Sequence, residues 1–194
     1  MFISVTVTLG QEEWELPRSW QERDLRPIDK VEMLKELTKD SIEKLQKGKL
    51  GFLAGIARIV DYNIDNSGQW DTLKDGSLLW RIAIRCQNAV ETNVEFNKFY
   101  IPKGAKVYVY GYDQMRRDRF YKHYNQIFDE SYNMTDSSLN IVSFLMRTDT
   151  IVVEYYIPPY TKEKGNLSIT SVGDIFGYRD SGYINVGTKR NEEI

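Results

Sequence analysis

Covalent staples are excluded at the outset, because the 194 residues contain one cysteine, Cys86, and no internal disulfide can form. The fold must be held by packing. Histidine is equally scarce: His123, inside FYKHYNQ, is the sole imidazole, so a Ser or Cys nucleophile has no ready general base. One His and one Cys also fall short of a zinc or other borderline-metal ligand set, and no Asp-x-Asp-x-Asp-Gly calcium loop is present. No metal is expected. The glycine-containing stretch Gly51-Phe52-Leu53-Ala54-Gly55 lacks the Lys-Ser/Thr of a P-loop and the third glycine of a dinucleotide fingerprint, so no nucleotide cofactor is expected either. No segment approaches the roughly 18 consecutive apolar residues of a membrane span, and the opening MFISVTVTLG has neither a basic n-region nor a sustained apolar h-region. Charge of one sign is lacking too: 26 basic and 28 acidic residues leave a net charge of -2, and no basic tract exists to grip nucleic acid.

What is there reads as a folded chain. Hydrophobic residues at 41% and charged residues at 28% lie in the globular range, and the length suits one domain with an appendage. Residues 2–9 alternate in the manner of a strand, and Gly10 closes them. Residues 11–27, with Trp14, Leu16, Pro17 and Trp20 among charges, show no period and predict an extended segment lying on a surface. Asp29 then offers an N-cap with Glu32 completing a capping box, and Val31, Leu34, Leu37, Ile42 and Leu45 recur at near-helical steps up to Gly48. That pattern predicts one amphipathic helix.

From Gly51 to about Tyr178 the pattern changes to short strand-like runs: 56–64, 79–86, 90–96, 107–110, 141–146, 151–157 and 167–172. In the clearest, Trp80, Ile82, Ile84 and Cys86 point to one side while Arg81, Ala83 and Arg85 point to the other. Asp65-Asn66-Ser67-Gly68, Lys74-Asp75-Gly76, Pro102-Lys103-Gly104 and Lys164-Gly165 supply the turns. Strands so spaced, with no helix alternating between them, predict a mainly β fold, an antiparallel β-sandwich of jelly-roll-like form with one N-terminal helix. The expected organisation is an N-terminal strand, extended segment and helix over 1–50, the sandwich over 51–178, and a tail or linker over 179–194. Cys86 falls on the apolar side of its strand and is expected to be a core residue. Tyr108, Tyr110, Tyr155 and Tyr156 fall in strands, where cross-strand packing accounts for them. Asp180-Ser181-Gly182 is similar to the nucleophile turn of trypsin-like enzymes but lacks its flanking glycines, and no triad assembles around it, so it reads as a plain turn.

Several segments, taken in order, resemble the pro-domain of bacterial secreted trypsin-like serine proteases of the lysyl endopeptidase type. They are NSGQW with Gly68 and Trp70, DGSLLWRIAI with Trp80 and Arg81, VEFNKFYIPKGAKVYVYGYD with Pro102, Gly104 and Tyr110, DTIVVEYYIPP with Glu154 and Tyr155, and GNLSITSVGDIFGYR ending at Arg179. The N-terminal PRSW and the segment after it are similar to the stretch that leads into that domain, so the resemblance spans about residues 17–180. RTDT at 147–150 and the insertion-like FYKHYNQIFDESYNMT depart from the pattern. Beyond it, Ser181-Gly182-Tyr183-Ile184-Asn185-Val186 resembles, in shortened form and without its cysteine, the start of the mature protease.

The resemblance implies a secreted or periplasmic, non-catalytic propeptide. It would act as folding chaperone and inhibitor, or as targeting module, for a trypsin-like protease domain, in cis in a longer precursor. The processing joint would lie at Arg179, Asp180 and Ser181, and no catalytic residue, cofactor, nucleic acid or membrane span is involved. The residues read without it leave two other readings: a stand-alone jelly-roll binding module for glycans or a cell-surface partner, and a structural assembly component.

Overall fold

The computed structural model describes residues 15–47, 53–112, 125–136, 138–177, 179–180 and 183–184. The expected strand over 2–9 and the helix stop at Gly48 fall outside them. Ten strands build two sheets. The first holds β1 (Val31–Leu34), β3 (Gln69–Thr72), β4 (Leu78–Cys86), β6 (Lys106–Gly111), β7 (Asn125–Phe128) and β9 (Thr150–Ile157); the second holds β2 (Gly55–Asn63), β5 (Glu91–Tyr100), β8 (Ile141–Val142) and β10 (Asn166–Ile175). A separate two-stranded ribbon, β11 (Arg179–Asp180) with β12 (Tyr183–Ile184), follows. The helical elements with described bounds are α1 (Arg18–Gln21), α2 (Lys39–Gln46) and a 3₁₀ turn at Glu130–Tyr132.

The antiparallel pairings nest. β2 pairs with β10, β4 with β9, β5 with β8 and β6 with β7, so the chain runs out and returns along itself as one long folded hairpin. Side-by-side order is β4-β9-β6-β7 in the first sheet and β2-β10-β5-β8 in the second. The core lies between the sheets. Trp80, Ile82 and Ile84 of β4, Val107 and Val109 of β6, and Val153 and Tyr155 of β9 meet Val94 and Phe96 of β5 and Leu167, Ile169 and Val172 of β10. Phe96, Phe99 and Phe128 close one region of the core with ring centroids 5.5 to 6.1 Å apart, in edge-to-face and tilted arrangements, which aromatic quadrupoles favour over a face-to-face sandwich. The strand expected over 141–146 forms over Ile141–Val142 only, with a lone bridge from Met146 to Thr92.

The sequence pattern fails between 29 and 48, where one helix was expected. Val31–Leu34 is instead strand β1, and the helix begins only after Thr38, whose Oγ1 accepts from the Ser41 amide at 3.3 Å. The reason lies in β4. β3 pairs with only its first half, Leu78–Arg81, which leaves the same edge of Ala83–Cys86 open. β4 is buried along most of its length, so those amides and carbonyls need partners. β1 supplies them in parallel register, Val31 opposite Ala83 through Leu34 opposite Cys86, and forms the one parallel pair among the described strands. A three-to-four-residue apolar step suits a helix, yet Val31 and Leu34 also suit a short edge strand, and the unpaired edge decides.

Candidate functional site

The outer face of the first sheet is not left to water. Residues 15–30 cross it as a strap, and the strap is clasped by buried polar groups rather than by apolar contact alone. Arg81 on β4 stands directly opposite Glu154 on β9, and Glu154 stands opposite Tyr108 on β6. Glu154 is fully buried. Its Oε1 accepts from the Ser19 amide and its Oε2 from the Tyr110 hydroxyl, each at 3.0 Å, and the Ser19 and Tyr110 hydroxyls lie 3.1 Å apart. α1 positions Ser19, and its neighbour Trp20 packs edge-on against the Tyr110 ring at 5.1 Å. Burial pushes the Glu154 carboxyl above its ordinary range, against the pull of the Ser19 and Tyr110 bonds. Burial, then the Glu154 charge, raises Tyr110 well above the usual phenol value.

Two further clasps flank this one. Asp71 on β3 accepts from Arg81 Nη2 at 2.7 Å and from Arg26 Nε at 2.5 Å, while Arg81 also donates to the Arg26 carbonyl at 2.8 Å. Burial alone would raise Asp71, but the Arg81, Arg26 and Gln69 bonds outweigh it and hold the carboxylate below its ordinary value. Arg81 is only 2% exposed, so Asp71 neutralises a charge that has almost no water of its own. On the β6 side, Glu15 takes hydrogen bonds from the Tyr108 hydroxyl at 2.7 Å and from Lys106, and the Asn125 amide reaches the Glu15 carbonyl at 2.9 Å.

The side chains at the centre of the clasp come from the segments quoted above. PRSW provides Ser19 and Trp20, the DGSLLWRIAI strand provides Arg81, the Tyr-rich strand provides Tyr110, and DTIVVEYYIPP provides Glu154. Four pieces scattered through the sequence meet at one clasped face. No family model matches this chain.

The clasp is chemically closed. Both Glu154 oxygens have donors and the carboxyl has no solvent access, and these bonds hold residues 18–20 against the sheet. Cys86 lies fully buried in the core, as expected, and burial, then the Asp174 charge, pushes its thiol up to about 12. It is no thiolate nucleophile. Tyr155 is a core residue, whereas Tyr108 and Tyr110 are clasp residues on the opposite face. Among the described residues no group of three or more His, Cys, Asp or Glu is placed to hold a metal ion. No helix of the described residues is long and apolar enough to cross a membrane.

Of the residues expected at the processing joint, Arg179 and Asp180 form β11 opposite Ile184 and Tyr183. Ser181 lies outside the described residues, as does His123. Sequence reading missed Glu15, Ser19 and Asp71. Asp71 had a signal: the Lys74-Asp75-Gly76 turn sets the β3/β4 register and places it diagonally across from Arg81.

Proposed function

We propose that the chain is a non-catalytic β-sandwich of jelly-roll type that serves as folding chaperone and inhibitor, or as targeting module, of a trypsin-like serine protease domain, as its resemblance to lysyl endopeptidase-type pro-domains implies. The nested pairing of β2/β10, β4/β9, β5/β8 and β6/β7 supports the jelly-roll reading, since that fold is a long hairpin wrapped into two sheets. The clasped strap supports the role of a rigid body, in which residues 15–30 and the sheet act as one unit.

One observation carries the functional step. Directly after β10 the Phe176 and Gly177 amides both donate to the Ala54 carbonyl, at 2.9 and 3.1 Å, which pins the exit of the chain to the start of β2. Two residues later Arg179 stands in a short hairpin. A basic residue on a ribbon hung from a rigid frame is how an extended segment is offered to a cleft selective for Lys or Arg, because the frame removes much of the ordering cost of binding.

The test is a titration of trypsin and of a lysyl endopeptidase with the purified chain. The expected result is competitive inhibition that weakens at least about tenfold, or about 1.4 kcal/mol, in Arg179→Ala. Absence of inhibition of either enzyme, or equal inhibition by the variant, overturns the reading.

A further inference from the structure

The outer face of the second sheet carries a cleft, and that cleft does not depend on the protease reading. Its volume is about 320 Å³, at the small end of ligand sites. One row of side chains crosses it on adjacent strands: Asn63 on β2, Ser168 on β10 and Lys98 on β5, in direct register. Asp61 and Asp65 flank Asn63, two residues before and two after it, and Asn97 and Asn166 complete the polar lining.

Three properties mark this as a built site. The first is that its groups are unengaged. Among the described residues, the side chains of Asp61, Asp65, Asn97, Lys98 and Asn166 make no hydrogen bond or ion pair, although carboxylates and an ammonium share one small cleft. The second is Ser168. It is 6% exposed and lines the cleft, and its hydroxyl has no hydrogen-bond partner among the described residues. Its oxygen opens to the cleft rather than being sealed in the core, so the residue presents one free hydroxyl there. The third is rigidity. The Asn63 side chain accepts from the Asp65 and Asn66 amides at 2.9 and 3.0 Å, and the Trp70 and Trp80 indoles donate to the Ile64 and Ser67 carbonyls at 2.9 and 2.8 Å. The wall that presents Asp65 is therefore fixed before any ligand arrives.

The chemistry selects the ligand. No apolar side chain lines the cleft, so an apolar ligand gains nothing there. An ammonium in the lining opposes a bare divalent cation, whereas carboxylate acceptors, amides that both donate and accept, a hydroxyl and an ammonium donor together match vicinal hydroxyl groups. Tyr100, half exposed, stands two residues beyond Lys98 on the same face of β5 and opposite Asn166, where its ring offers a stacking surface at the rim. We propose that this cleft binds a saccharide, with sugar hydroxyls bonded to Asp61, Asp65, Lys98 and Ser168.

The test is a two-dimensional NMR titration of the full chain with glucose, mannose, galactose and N-acetylglucosamine, and separately with calcium chloride, accompanied by a glycan array. The expected result is saturable shifts with at least one sugar, with Kd of about millimolar order, confined to amides of 61–66, 97–100 and 165–168. Asp61→Asn and Lys98→Met should each weaken that binding at least about tenfold while leaving the melting temperature unchanged, since both side chains are exposed and unpaired. Silence on all four sugars and on the array, shifts elsewhere on the molecule, or the same shifts with calcium alone would overturn the proposal.

Discussion

The Tyr110 hydroxyl donates to a fully buried Glu154 carboxyl at 3.0 Å, and the amide of Ser19, 135 residues away in sequence, occupies the other oxygen. A carboxyl in that setting couples strap docking to pH. An unfolded glutamate titrates near about 4.3, and the folded Glu154 titrates higher because burial disfavours its charged form. The folded state therefore holds its proton where the unfolded state has lost it. The stability this group contributes is complete below the unfolded value and declines as pH rises through the folded one.

Glu154→Gln keeps the shape and removes the titration. The stability of this variant relative to the parent should rise with pH by about 1.4 kcal/mol per unit across that interval, then level off. Urea denaturation at a series of pH values from 4 to 8 reads it directly. A pH-independent difference would show that Glu154 is not held above its ordinary range.

Asp71 behaves in the opposite sense, being held low by Arg81 and Arg26, so its contribution is present above its unfolded pKa and lost as pH falls through the folded value. Removing it leaves the nearly inaccessible Arg81 guanidinium without its counter-charge. Asp71→Asn should cost about 3 kcal/mol or more. Arg26→Ala, which deletes the half-exposed partner of the same carboxylate, should cost clearly less than Asp71→Asn, because solvent screens that pair. Equal losses in the two variants, measured by chemical denaturation, would mean that burial of Arg81 does not govern the pair.

Much of the frame is legible before any coordinates. β4, β6, β9 and β10 announce themselves by β-branched and aromatic residues bounded by turn residues, and all four glycines assigned to turns, Gly68, Gly76, Gly104 and Gly165, have positive φ. The two-sheet arrangement follows from strand count and spacing. What the pattern could not carry is pairing between distant polar residues: nothing local links Ser19 to Glu154, or Glu15 to Tyr108. The cleft on the second sheet is illegible for the same reason, since Asn63, Ser168 and Lys98 become neighbours only through register. Strand β1 was misread as helix because its period is ambiguous over four residues and the deciding fact, an unpaired edge on β4, belongs to tertiary structure.

Two of those glycines separate backbone strain from crowding. Gly76 and Gly165 have φ of 85° and 70°, so alanine at either meets the same left-handed penalty, of order 1–2 kcal/mol. Around Gly76 the nearest atom to an added Cβ is Pro159 Cβ at 3.9 Å, which is ordinary contact. Around Gly165 it is the Tyr100 carbonyl oxygen at 2.2 Å, with Ile101 Cα at 3.2 Å, so the end of β5 must move. Gly165→Ala should therefore destabilise the chain by at least about 1 kcal/mol more than Gly76→Ala, the surplus reporting backbone displacement. Because Gly165 lines the cleft and Tyr100 stands at its rim, the same variant should also shift the NMR signals of residues 97–100, while Gly76→Ala leaves them in place. Matched stability losses with unmoved signals would show that the Gly165 contact relaxes without consequence.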